Sequence, residues 1–232
     1  MGDGESEKGK RVSTSRLAEL GVLAATLIHE IRQPVFAIKG LAQLTRSEVG
    51  GESQARLDQL LAQVEHLEGL LDLFAALGGH PGPVELFDAN QQVERAVDLL
   101  AHRRANTAVD LALHLATEAL LVQGQRIAVR QVMCNLLQNA FDAVAGQEQE
   151  DVVVRTCREG DRAVLEIEDN GPGVAEEIRD HLFDPFVTTK PRGSGLGLYI
   201  AWKLVAEAGG ELVVESMEGG GTLARVVFPL VV

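Results

Sequence analysis

The sequence predicts two units of different class: a helical hairpin that pairs with a second copy as a dimeric four-helix bundle, followed by a two-layer α/β sandwich. Three observations lead there. Apolar residues between Ser15 and Phe74 recur at alternating spacings of three and four, the seam of packed helices. Gly78-Gly79-His80-Pro81-Gly82-Pro83 then interrupts the chain with a linker composition. After it, short apolar runs alternate with helical segments, as in a mixed α/β domain.

The hairpin comes first. Leu17, Leu20, Ala24, Leu27, Ile31, Pro34, Ile38 and Leu41 line one face of a helix from about Ser15 to Thr45. Glu48-Val49-Gly50-Gly51-Glu52 ends it, and Leu57, Leu60, Val64, Leu67, Leu71 and Phe74 repeat the spacing in a second helix. Leu61, Leu70, Leu73 and Leu77 widen that second face beyond what one partner helix covers. A lone hairpin cannot bury such faces, so a homodimer is expected. Residues 14–78 make up this unit, residues 1–13 precede it as a disordered segment, and residues 79–84 are the linker.

Residues 85–232 are the second unit. Val84–Phe87 reads as a short strand and Ala89–Arg103 as a helix. Strands follow at Ala108–Leu115 and Ala119–Val122, then a helix at Arg126–Ala145. Asp151–Cys157 and Arg162–Glu168 form a hairpin around Glu159-Gly160-Asp161. Ser194–Gly209 is a helix, and Glu211–Ser216 and Thr222–Pro229 form a last hairpin around Gly219-Gly220-Gly221.

Composition narrows the function classes. The 232-residue chain is 46% hydrophobic, enough for a packed core, and carries a net charge of −13. An acidic balance argues against nucleic acid as a partner, because neutralising phosphates needs a basic face. No run of eighteen apolar residues marks a membrane segment, and Met1 to Arg11 lack the apolar core of a secretory signal. Cys134 and Cys157 fall in no metal-ligand spacing, so both read as reduced structural residues of a cytoplasmic protein.

Four groups of residues carry chemistry. Ala24 and Ile31 take the a positions of the heptad and Leu27 the d position, which puts His29 at f, away from the seam. A neutral imidazole there is an exposed nucleophile, and Glu30 is the acceptor that would fix its tautomer. Pro34, one turn on, lacks a backbone donor and loosens the helix. Gln131, Asn135 and Asn139 share one face of the helix Arg126–Ala145, opposite the apolar Val129, Val132, Met133, Leu136, Leu137, Ala140 and Val144. Asparagine carbonyls suit a hard cation such as Mg²⁺ bridging phosphates. Asp169 opens the turn Asp169-Asn170-Gly171-Pro172-Gly173. Gly193-Ser194-Gly195-Leu196-Gly197 opens a helix whose first backbone N–H groups can hold phosphate. Neither a P-loop nor a dinucleotide fingerprint is present.

The segment His29-Glu30-Ile31-Arg32-Gln33-Pro34, continued by Val35-Phe36-Ala37-Ile38, resembles the H box of the sensor histidine kinases of two-component systems, in their dimerisation and histidine-phosphotransfer (HisKA-type) domain. Its Gln-Pro variant resembles the branch that includes dicarboxylate- and oxygen-sensing kinases. The second unit resembles the GHKL ATPases, with the Bergerat ATP-binding fold, shared by histidine kinases, gyrase, Hsp90 and MutL. Asn135 and Asn139 match its N box. Asp169, Gly171 and Gly173 match its first glycine box, Phe183 and Phe186 its F box, and Gly193, Gly195 and Gly197, with Leu196 between them, its second glycine box.

The resemblance implies a set of roles. Asp169 would bind the adenine amino group of ATP, Asn139 would hold Mg²⁺ and Asn135 would assist. Residues 174–192 would form a lid, with Lys190 and Arg192 as cations for the phosphates. His29 would take the γ-phosphoryl group and pass it to an aspartate on a response regulator receiver domain. Gln33 departs from the family pattern, since many relatives carry Asn or Thr at the fourth position after the histidine to position a dephosphorylating water. Thirteen residues ahead of the hairpin hold no sensor, so an upstream sensor domain or a partner protein outside this chain is expected to supply the input. Two rivals remain: a GHKL-type serine kinase or ATPase that does not need His29, and a nucleotide-binding scaffold without phosphotransfer.

Overall fold

A computed structural model describes residues 31, 35–43, 45, 53, 54, 56, 57, 59–61, 63, 64, 67, 71, 83–100, 109–190 and 193–231. The chain divides into two compact units, residues 1–81 with 192–194, and residues 82–191 with 195–232. His29, Glu30, Gln33 and Arg192 lie outside the described residues, as does the segment expected to be disordered.

In the first unit every described residue from Ile31 to Leu71 is helical. Val35, Val64 and Leu71 form one buried cluster, which joins the two predicted helical runs. The buried line of the first run passes through Val35 and Ala42, one position beyond the expected seam residues Pro34 and Leu41. Ile31, Ile38 and Leu41 of the expected seam are exposed, and so are Leu60 and Leu67 of the second run. Two helices touch along one stripe only, so a wider apolar face stays outside their contact.

The second unit is a sheet with helices on one face. Its elements are β1 (Glu85–Asp88), α1 (Ala89–Leu99), β2 (Asp110–His114), β3 (Leu121–Gly124), α2 (Arg126–Val144), β4 (Asp151–Glu159), β5 (Arg162–Asp169), a 3₁₀ turn (Glu176–His181), α3 (Gly197–Glu207), β6 (Glu211–Ser216) and β7 (Thr222–Pro229). The main sheet runs β2-β4-β5-β7-β6, with β2 parallel to β4 and every other pair antiparallel; β1 and β3 form a separate antiparallel pair.

Period-two alternation sorts the sheet's faces. Val152, Val154 and Thr156 of β4, Ala163, Leu165, Ile167 and Asp169 of β5, and Ala224, Val226 and Phe228 of β7 are buried on the helix side. The other face carries charge: Arg225 pairs with Glu166 at 2.6 Å and with Glu159 at 2.5 Å, and Arg155 pairs with Glu168. On α2, the buried Val129, Val132, Met133, Leu136, Leu137, Ala140 and Val144 are the predicted apolar face. Each such side chain contributes about 1.5–3 kcal/mol when fully withdrawn from water.

Several boundaries differ from expectation, among them the strand expected at Ala108–Leu115, which spans Asp110–His114, and two of the shifts have a clear physical cause. The strand expected at Ala119–Val122 begins at Leu121, because Leu120 is taken up elsewhere. Its N–H donates to Asp88 Oδ1 at 3.0 Å, and its carbonyl accepts from Ala89 N at 2.9 Å, so it ties β3 to the cap of α1. The helix expected from Ser194 begins at Gly197, because Gly195 adopts φ +66° and cannot continue a right-handed helix.

Candidate functional site

Asp169 is the last inward residue of β5, and the alternation that buries Leu165 and Ile167 also turns its carboxylate toward the helices. It is 6% exposed. Its Oδ1 accepts from Gly171 N at 2.9 Å and from Thr222 N at 3.2 Å. Burial pushes its carboxyl above the ordinary value of 3.8, while those two N–H groups, the Thr222 hydroxyl and the charge of Lys190 pull it down.

The glycines of the turn are there for space. A Cβ on Gly171 would stand 2.9 Å from Ala143 of α2 and from Asp169 Oδ1. Gly173 has φ +80°, and a Cβ there would stand 3.1 Å from Ser216 Oγ. Ser216 Oγ accepts from Val174 N at 2.9 Å, fastening the exit of the turn to the end of β6. Gly221 closes the site from below, since a Cβ would meet the Asp169 carbonyl at 2.1 Å. The chain thus packs around Asp169 through glycine backbone, at positions where a side chain would collide with Ala143, Ser216 or the Asp169 carbonyl.

Helix α2 supplies the amides. Asn135 Nδ2 donates to the Gly197 carbonyl at 3.0 Å, which ties α2 to the first residue of α3. Asn139 Oδ1 accepts from Lys190 Nζ at 3.3 Å, and the same ammonium lies 3.0 Å from Asp142 Oδ2. The structure therefore brings together Asp169, Gly171, Gly173, Asn135, Asn139, Lys190 and Gly197 in the second unit. Leu196 is fully buried as the cap of α3, so it acts through packing. Gly195 stands against Phe186: a Cβ would meet the Phe186 carbonyl carbon at 2.4 Å, and Phe186 N donates to Gly195 O at 2.9 Å. Phe186 itself has φ +69°. Residues 187–194 lie between these two in the sequence. Phe183 stacks on Trp202 of α3 with ring centroids 6.4 Å apart.

Gly193 is described and lies on that segment, while the catalytic candidates His29, Glu30 and Gln33 lie outside the described residues. Sequence reasoning missed Thr222, Gly221, Ser216 and Asp142. Asp142 had a signal, three residues after Asn139 on the same helix face.

The donor set fits a nucleotide with a hard cation. Among the described residues no group of three or more His, Cys, Asp or Glu could hold a metal by itself. A Mg²⁺ ion commonly takes one or two protein oxygens and completes its shell with phosphates and water, and the Asn139 carbonyl, already facing a cation, is an oxygen of that kind.

Residues 124–232 match the family of histidine kinase-, DNA gyrase B- and HSP90-like ATPases. The chain is 36% identical over 221 residues to the C4-dicarboxylate transport sensor protein DctB of Rhizobium meliloti (strain 1021), covering 92% of this chain and 35% of that protein. The curated relatives it matches are longer: the chain spans from 29% to 50% of the length of those compared. Among solved structures it resembles full-length ShkA in complex with AMPPNP, with a TM-score of 0.64, 26% identity, and coverage of 90% of this chain and 45% of that one. It shares its fold with histidine kinase ThkA in complex with the response regulator protein TrrA, with a TM-score of 0.63, 22% identity, and coverage of 100% of this chain and 68% of that one.

Proposed function

We propose that the chain is a sensor histidine kinase of a two-component system that uses ATP to phosphorylate its own His29, a reading supported by the match of residues 124–232 to the histidine kinase-, DNA gyrase B- and HSP90-like ATPases and by the 36% identity to the sensor protein DctB. The observation that supports this most is the convergence of Asp169, Asn139 and Lys190 on one side of the second unit. A buried carboxylate beside glycine backbone suits an adenine amino group. A cation and a carbonyl on the facing helix suit phosphates.

In this reading Asp169 accepts from the adenine amino group, with the backbone of Gly171 and Gly173 packed closely beside it. Asn139 and Lys190 hold the phosphate chain. Asn135, bonded to the Gly197 carbonyl, keeps the start of α3 and its N–H groups aimed at the same place. A Mg²⁺ ion held by Asn139 would supply charge neutralisation on the phosphates. One ring nitrogen of His29 attacks the γ-phosphorus in line; the bond from that phosphorus to the bridging oxygen breaks, and ADP leaves. Glu30 takes up the positive charge that develops on the imidazole by accepting from its other N–H. Positioning and charge neutralisation carry most of the rate.

We infer that the phosphoryl group then goes to an aspartate of a receiver domain, and that an upstream sensor or partner protein controls the reaction. The first unit works as a homodimer, its exposed Ile31, Ile38, Leu41, Leu60 and Leu67 meeting those of a second copy in a four-helix bundle. A cytoplasmic setting suits both the ATP supply and the free thiols of Cys134 and Cys157.

Incubation with γ-labelled ATP and Mg²⁺ tests the reading. Acid-labile, base-stable label on the chain is the expected result. Label that survives acid would point to a serine kinase, and bound ATP without label would point to a scaffold.

A further inference from the structure

We propose that Asp142 is a positioning residue of this site, holding the ammonium of Lys190 over the Asn139 carbonyl so that a cation stands ready where a nucleotide's phosphates arrive. The inference rests on the reading of the site as an ATP site. It assigns a role to a residue that the adenine and metal roles leave out.

The geometry supports it on three counts. Asp142 follows Asn139 by three positions on α2, so both side chains leave one helix face. Lys190 comes from a segment 48 residues further along, and its Nζ reaches both of them, at 3.0 Å from Asp142 Oδ2 and 3.3 Å from Asn139 Oδ1. The next residue of α2, Ala143, packs against Gly171, which fixes the height of Asp142 beside the Asp169 turn.

A carboxylate is needed for this. Lysine carries its charge on a flexible four-carbon stem and loses rotamer freedom when held. The neutral Asn139 carbonyl holds an ammonium less strongly than a carboxylate does. The pair is over a third exposed on each side, so it adds little to folding stability. Its effect appears instead when a ligand arrives, because a cation already in place need not be ordered at that moment.

The test is calorimetric titration of the full chain with a non-hydrolysable ATP analogue and Mg²⁺, for wild type, Lys190→Met, Asp142→Asn, Asp142→Glu and the double variant Lys190→Met/Asp142→Asn. Urea midpoints confirm that each variant folds. Loss of a charge-assisted contact weakens binding roughly tenfold in Lys190→Met, and loss of its holder weakens it about three- to tenfold in Asp142→Asn. The double variant binds within about twofold of Lys190→Met, the signature of two residues acting as one. Asp142→Glu recovers most of the affinity. Wild-type affinity in Asp142→Asn, or losses that multiply in the double variant, would overturn the proposal. A wild-type chain that binds no analogue would overturn the ATP reading, and this proposal with it.

Discussion

At Asp169 two demands oppose each other. Burial raises its carboxyl pKa, and the N–H groups of Gly171 and Thr222 lower it, with burial the stronger. A carboxylic acid whose folded pKa exceeds its unfolded value binds more protons in the folded state. Its contribution to stability is fully present below the unfolded value and is lost as pH rises through the folded one. The carboxylate form is also the one that accepts the two backbone N–H groups and, under the proposed function, an adenine amino group. Carbon NMR titration of the Asp169 carboxyl should therefore show a midpoint above 3.8. Between 3.8 and that midpoint, the wild type should lose stability relative to Asp169→Asn as pH rises. A midpoint at or below 3.8 would remove the burial argument. The position of Asp169 was legible in the sequence, because an apolar alternation ended on a carboxylate and a Gly-Pro-Gly turn. Its partners Thr222 and Gly221 were not, since they reach it across the β5–β7 ladder and sequence distance hides that contact.

Among the elements, α2 does two jobs on two faces. One face fills the core, and the other presents Asn135, Asn139 and Asp142. The periodicity that separated these faces in the sequence holds in the structure, because a long helix against a sheet leaves few other solutions. Short elements were less legible. Leu120 left its expected strand for the cap of α1, and the start of α3 moved to Gly197 once Gly195 was drawn into contact with Phe186. Asn135 is the bolt between α2 and α3. Asn135→Ala should lower unfolding stability by about 1 kcal/mol, the net worth of one such bond, and should also weaken ATP binding. Urea unfolding together with nucleotide titration reads both. Unchanged binding would leave Asn135 a fold residue only.

For the whole molecule, the exposed apolar stripe of the first unit is the feature that bears on assembly. Seam residues were readable as a repeat, yet which of them face a partner copy could not be read, because a heptad does not say which stripe its own hairpin consumes. In the structure Val35, Val64 and Leu71 are consumed, and Ile31, Ile38, Leu41, Leu60 and Leu67 are left. Sedimentation should give a dimer for the wild type and a monomer for Ile38→Glu/Leu41→Glu, because charges placed in an apolar interface are costly to bury. A dimer that survives both charges would place the interface elsewhere.

The central claim joins the two units: ATP held at Asp169 and Asn139 phosphorylates His29. The direct measurement is mass-spectrometric mapping of the phosphoryl group at neutral pH after incubation with ATP and Mg²⁺, on wild type, His29→Ala and Asp169→Asn. The account predicts modification of the His29 imidazole in the wild type and none in either variant. Modification at a serine or threonine, or modification that persists in His29→Ala, would contradict it.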